Sequence, residues 1–403
     1  MRKQVQWLFA ALILTGAVTI TAQSISAQEY TSRMEVLQNE ALRQDFTIQG
    51  EYLTEVEGYK VGLHLIANGG GKFRVVSYPG GLPGDGWKAG EPRLLGTAEL
   101  TGEEIAFNMT EGRGTSTGQS IAMPEKIEAK GKVVIETSQR GQGQGGAGQG
   151  NGAPRQGQGQ GQGAGQFRGG QLVKIELPAT AGMPAMVFEK QNRRSSTLGQ
   201  AAPAGAVVIF DGTNLDKFQP GARMNEAQQQ QRAGGGNAPQ QRAGAGNTLW
   251  AEAATTAFEK KPYKMHIEFM LSYMPQARDQ GRSNSGVYID ERYECQVLDS
   301  FGLEGQDNEC GGFYQFSKPL VNMCFPPLTW QTYDFEFTPA KYDGNRKVTN
   351  ARVTVMHNGV KIHDNLELPQ QTPGRRNEGP EPLGLYLQGH GNKVQYRNIW
   401  IQY

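Results

Sequence analysis

Apolar side chains in this chain recur at every second position, the period of a strand half buried in a sheet. Tyr263, Met265, Ile267, Phe269 and Leu271 alternate with Lys264, His266, Glu268 and Met270. Tyr333, Phe335 and Phe337 alternate with Asp334 and Glu336, and Leu383, Leu385 and Leu387 and the stretch 394–401 read as further strands. Val353 and Val355 lead into His357-Asn358-Gly359-Val360, where Asn-Gly between apolar runs marks a tight hairpin. Earlier in the chain, Val61, Leu63 and Leu65, then Ile105 and Phe107, then a run with Leu172, Ile175 and Leu177 follow the same rule. From Phe46 to about Lys190 no helical period persists over three turns. Many strands, frequent turn residues and almost no helix imply an all-β chain: a small antiparallel domain within 28–200, then an antiparallel sandwich over 205–403.

Glycine supplies 55 of 403 residues, about twice ordinary usage. No G-X-Y period runs through it, which excludes a collagen-like chain. Much of the excess falls in two Gly/Gln-rich tracts, 140–170 and 221–247, which cannot build a core and are expected to be disordered insertions. The first tract interrupts the N-terminal β domain as a long hairpin loop; the second lies near the start of the sandwich. Pro79-Gly80-Gly81-Leu82-Pro83-Gly84 is a multiple turn without the helix and lysine of a phosphate loop.

Arg2 and Lys3 precede an apolar run over 7–20, and small residues end at Ile25-Ser26-Ala27. This is the layout of a secretory signal cleaved after Ala27, from which a periplasmic or extracellular protein is expected, with no stable membrane span after cleavage. The net charge of +1 loses two positive charges with the signal, three with the first tract and two with the second, leaving the folded part near −6. A mildly acidic surface argues against nucleic acid or an anionic membrane as partner. In an exported protein three cysteines allow one disulfide, and Cys310 and Cys324, which flank one aromatic-rich loop, are the expected pair. No side-chain spacing marks a metal site; a single divalent ion such as calcium, held by loop oxygens, would leave little trace in a sequence.

Three polar-rich strings stand out in the sandwich: Asn284-Ser285-Gly286-Val287-Tyr288-Ile289, Tyr293-Glu294-Cys295-Gln296-Val297-Leu298-Asp299 and Leu387-Gln388-Gly389-His390-Gly391. At strand period, Glu294, Gln296 and Leu298 share one face, and a carboxylate and an amide two residues apart suit sugar hydroxyls. With Phe210-Asp211-Gly212-Thr213-Asn214-Leu215, Asn358-Gly359-Val360 and Arg397-Asn398-Ile399, the first two strings give 205–403 the ordered motifs of a known family. The region resembles the 3-keto-disaccharide hydrolase domain family, long catalogued as a domain of unknown function. The resemblance implies a concanavalin A-like lectin/glucanase jelly roll that hydrolyses glycosides whose sugar carries a ketone at carbon 3. Two departures are evident: the segment after the opening motif is expanded by the second tract, and the family's Gln-Asp-His-Gly string appears here as Gln388-Gly389-His390-Gly391.

Retaining glucanases of this fold set acids at i, i+2 and i+4 of one strand, since a nucleophile and a general acid must flank the bond. Here those places are Glu294, Gln296 and Leu298, so one acid is present. A 3-keto sugar needs no second one. The ketone acidifies the carbon-2 proton; a base removes it, the enolate expels the glycosidic oxygen, and water adds across the alkene. Glu294 and His390 are the expected catalytic pair, either one serving as base or as acid. Gln296, Asn284 and Tyr314 are expected to donate hydrogen bonds to ketone and hydroxyls, with Gln388 and Arg397 as further substrate contacts. His266 and His357 are expected to face solvent. The alternative is a non-catalytic lectin-like module that binds sugar on the same face.

Overall fold

The computed structural model describes residues 27–112, 126–137, 171–180, 183–225 and 247–403. All but the last residue of the expected signal, the whole of tract 140–170 and residues 226–246 of the second tract lie outside the described residues. Two short helices, Arg33–Gln38 and Glu40–Ile48, open the folded part. Ser32 caps the first: its hydroxyl accepts from the Glu35 N–H at 3.2 Å while the Glu35 carboxylate accepts from the Ser32 N–H at 3.2 Å. The alternation expected from Phe46 therefore begins at Gly50, because residues 46 to 48 finish the second helix.

Eight antiparallel strands then close into a barrel. Gly50–Val56 pairs with Met186–Gln191, followed around the ring by Gln171–Leu177, Lys126–Thr137, Glu104–Gly112, Arg93–Thr101, Lys72–Pro79 and Tyr59–Gly69, which returns to the first. Closure leaves no sheet edge to cover. Leu65, Val75, Phe107, Val173 and Ile175 fill the interior, while Leu172 points outward. Thr137 pairs with Gln171, so the first tract is inserted in a hairpin connection. Asn225 pairs with Thr248, and the second tract is likewise bracketed by paired strands.

The expected jelly-roll sandwich follows. Its back sheet runs Met224–Asn225, Thr248–Trp250, Gln395–Gln402, Tyr263–Met270, Trp330–Thr338, Ala351–His357 and Val360–Leu368, with Val207–Phe210 also paired to Gln395–Gln402. The front sheet runs Ala253–Ala254, Tyr386–Leu387, Ser285–Ile289 and Tyr293–Val297. Ile267, Phe269, Tyr333, Phe335, Val353 and Val355 of the back sheet meet Val287, Ile289, Tyr293, Cys295 and Val297 of the front in one core. Asn358 and Gly359 turn the hairpin with φ of 52° and 82°, the left-handed pair a two-residue turn requires.

Barrel and sandwich share packing. Ile66, Val76 and Tyr78 of the barrel, and Trp87 from the connection between two of its strands, belong to the sandwich core cluster, His64 stacks on Phe301 at 4.5 Å, and Arg74 donates to the Phe301 carbonyl at 3.1 Å. The connecting segment docks on the outer face of the back sheet, where Thr197 donates to Asp334 at 2.6 Å and the Gly199 N–H to Glu268 at 2.6 Å.

That docking corrects one expectation. His266 is fully buried, bonded to Asp334 at 2.6 Å and stacked on Trp400, because the connecting segment covers a face that the alternation marks as exposed. His357 is also buried: it continues the inward period of Val353 and Val355, contacts Gln331 at 3.0 Å, and burial pushes its imidazole down to about 3. A third correction concerns the cysteines. All three are free and buried, and Cys310 and Cys324 are not bonded to each other. The Cys310 sulfur instead sits 3.1 Å from the Tyr333 hydroxyl, and Cys324 lies 3.5 Å from the Leu298 and Phe325 carbonyls.

Candidate active site

On the front sheet, residues opposite one another share a face. Tyr288 pairs with Glu294 and with Tyr386, and Gly286 with Gln296, so Gly286, Tyr288, Glu294 and Gln296 all face away from the core. They are nevertheless hardly exposed, Glu294 at 2% and Gln296 at 1%, because surrounding loops wall this face. Thr372 accepts the Glu294 N–H at 2.8 Å, the Tyr314 N–H reaches the Glu294 carbonyl at 3.1 Å, and the Gln388 N–H reaches the Gly286 carbonyl at 2.8 Å.

The Glu294 carboxylate leans across its neighbouring strand over Gly286. A Cβ at 286 would overlap Oε1 of Glu294, so only glycine leaves the floor on which the carboxylate rests. Burial pushes the Glu294 carboxyl up to about 7, opposed by one hydrogen bond from the Tyr288 hydroxyl at 2.7 Å. The hydroxyl also lies 3.0 Å from the Pro373 carbonyl and accepts from Gln388 Nε2 at 3.3 Å. It carries one proton. With Glu294 ionised that proton serves the carboxylate; with Glu294 protonated the acid can donate to the hydroxyl, which then turns its proton to Pro373. Glu294 thus changes protonation near neutrality without leaving a buried partner unsatisfied.

Beside it, Gln280 ties the two expected amides together. Asn284 Nδ2 donates to the Gln280 carbonyl at 2.9 Å and to its Oε1 at 3.2 Å, while Gln296 Nε2 donates to Gln280 Oε1 at 3.0 Å. Their amide hydrogens are engaged by protein, and Asn284 Oδ1 and Gln296 Oε1 are buried without a partner among the described residues. This departs from their expected role as donors: the donors are engaged within the protein, and the groups left over are acceptors. Two buried orphan acceptors cost about 1–3 kcal/mol each, which ligand hydroxyls would recover.

Tyr314 is half buried, and its hydroxyl makes no hydrogen bond to the described residues. His390 lies in the exposed loop after Tyr386–Leu387 and is not joined to Glu294 by any hydrogen bond among the described residues. Arg397 is elsewhere. It stands on the outer face of the back sheet, ion-paired with Glu268 at 2.6 Å and lying over Trp330 at 3.9 Å, because its neighbours Tyr396 and Ile399 take the inward places. Among the described residues no group of three or more His, Cys, Asp or Glu side chains is set to hold a metal.

Residues 205–402 match the family model of the 3-keto-alpha-glucoside-1,2-lyase-like domain. The C-terminal domain is a member of this 3-keto-disaccharide hydrolase family. Its motif order and its sandwich agree with that membership, and the family acts on glycosidic bonds. Two solved candidate glycosyl hydrolases of Parabacteroides distasonis also resemble the chain. One shows 26% identity, a TM-score of 0.39, and covers 50% of this chain and 85% of its own; the other shows 15%, 0.29, 49% and 93%. No sequence match was found among functionally curated proteins.

Sequence reasoning did not single out four residues of this 3-keto-disaccharide hydrolase domain: Tyr288, Gln280, Thr372 and Glu252. Tyr288 lies inside a quoted motif, one strand position from an apolar pair, and reads as core. Gln280 and Thr372 come from loops with no period. Glu252, exposed, pairs its N–H with the Leu387 carbonyl at 2.8 Å and so stands across from Gln388 on the same face.

Proposed function

We propose that this chain is an exported enzyme that cleaves 3-keto-glycosides by elimination, with Glu294 as the base. The observation that carries the reading is a single walled-in carboxyl, raised to about 7, on a glycine floor beside two orphan acceptors. A base held near the working pH is half ionised and still accepts protons. Glu294 takes the proton from carbon 2; its electron pair enters the ring bond toward the ketone as an enolate. The enolate then expels the glycosidic oxygen, forming the carbon 1–carbon 2 alkene, and the leaving oxygen takes a proton. Water adds to the alkene, hydroxyl at carbon 1 and proton at carbon 2, completing a net hydrolysis with no change of oxidation level.

Tyr314 and Gln388 supply the hydrogens that face the developing enolate oxygen. Asn284 Oδ1 and Gln296 Oε1 accept sugar hydroxyls. The proton for the leaving group comes from the exposed rim, where His390 and Glu252 flank Gln388. Incubating the protein with a p-nitrophenyl 3-keto-glucoside should release nitrophenol, and Glu294→Gln should lose at least ~100-fold in kcat, the scale of a missing general base. His390→Ala should lower kcat more for poor leaving groups than for nitrophenol. Saturable binding of the keto sugar without any release would establish the lectin-like alternative instead.

A further inference from the structure

A second cleft lies on the opposite side of the sandwich. Trp330, Thr332 and Arg397 project outward from the back sheet, while Tyr333 and Tyr396 of the same strands enter the core. Here the first helix and the last strand of the barrel meet the loop 326–329 and Trp330 around a cavity of about 1040 Å³. The Glu294 site opens from the other sheet, so the two are separated by the thickness of the sandwich.

The charge of this cleft is one-sided. Arg33, Lys190, Arg193, Arg194 and Arg397 line it, against one carboxylate among the described residues, Glu51. Glu51 is already held by Arg193 and lies 3.2 Å from His64, and Arg397 is held by Glu268. Arg33, Lys190 and Arg194 have no carboxylate within ion-pair distance among the described residues. Lys190 lies over Gly50 with its ammonium on the Thr47 carbonyl, and burial with the nearby Arg33 charge pulls it down to about 7. Arg33 and Arg194 are exposed guanidinium groups beside the half-buried Lys190 amine, and an oxyanion is the group that accepts from all three at once. Fork-shaped guanidinium groups match the paired oxygens of a carboxylate and of tetrahedral oxyanions. The remaining lining, with the Gln191 and Asn192 amides and the Trp330 indole, is of the kind that receives a sugar ring and its hydroxyls.

We propose that this cleft binds an oxyanion-bearing saccharide, its carboxylate or sulfate held among Arg33, Lys190 and Arg194 and its ring against Trp330. The site is distinct from the Glu294 site, and its test does not depend on turnover. The full chain is titrated calorimetrically with a glucuronate-terminated disaccharide, its neutral glucose-terminated counterpart, inorganic sulfate and inorganic phosphate. The acidic disaccharide should bind at one saturable site, at least tenfold tighter than the neutral sugar and than either inorganic ion. Arg194→Gln and Arg33→Gln, both changes of exposed side chains, should each weaken that binding at least threefold, and Glu294→Gln should leave it unchanged. No saturable binding, equal binding of the neutral sugar, equal binding of sulfate or phosphate, full affinity in both arginine variants, or loss in Glu294→Gln would each overturn the proposal.

Discussion

Glu294 links stability and catalysis in one side chain. An unfolded glutamate titrates near 4.5 and the folded one at about 7, so the folded state holds this proton more tightly. The stability that the proton contributes is complete below pH 4.5, declines as pH rises between the two values, and is lost above about 7. Glu294→Gln keeps the shape and cannot ionise. It should match the unmodified protein in urea unfolding at pH 4 and exceed it by about 3 kcal/mol at pH 8. Equal stability at both pH values would mean that the carboxylate is not buried when charged. In turnover, kcat/KM should rise with pH through about 7 as the base form appears. The Tyr288 hydrogen bond lowers the Glu294 carboxyl, so Tyr288→Phe should move that rise to higher pH, and a rise left in place would exclude Tyr288 as the tuning group.

At the level of elements, legibility depended on whether one face of a strand meets water. Tyr263–Met270 and Trp330–Thr338 carry alternation because their outer faces are polar, even where the connecting segment later covers them. The strands Ser285–Ile289 and Tyr293–Val297 are buried along their whole length; period put Glu294 and Gln296 on one face, but which face meets the core rested on motif resemblance. The two opening helices are 6 and 9 residues long, shorter than three turns, and leave no period to read. Within the site, Glu294, Gln296 and Asn284 were legible as polar residues in apolar strings, while the loops that fix their roles arrive from sequence distances that no local signal encodes. His357 shows a signal that was present: the inward period of Val353 and Val355 continues to it. The hairpin after it offers a direct test. Gly359 has a φ of 82° and a Cβ there would overlap Ser196 Oγ, so Gly359→Ala should destabilise by about 1–3 kcal/mol in urea unfolding. A change within about 0.5 kcal/mol, the range of ordinary surface substitutions, would show that the connecting segment is not docked there.

The whole molecule is a barrel and a sandwich joined by common packing. Ile66, Val76, Tyr78 and Trp87 enter the sandwich cluster, and Arg282 of the sandwich donates to the Ala67 carbonyl of the barrel at 3.4 Å. Calorimetry should therefore record one unfolding transition; two resolved transitions would show that the parts unfold independently. The two glycine-rich tracts enter this account as insertions bracketed by paired strands, Thr137 with Gln171 and Asn225 with Thr248. Deleting 226–246 should accordingly leave turnover of a 3-keto-glycoside unchanged. The central claim is that cleavage proceeds by loss of the carbon-2 proton to Glu294, and it is tested most directly by running the reaction in heavy water and reading the sugar product by NMR. Elimination followed by hydration predicts deuterium at carbon 2 of every product molecule, and cleavage with hydrogen retained at carbon 2 would contradict it.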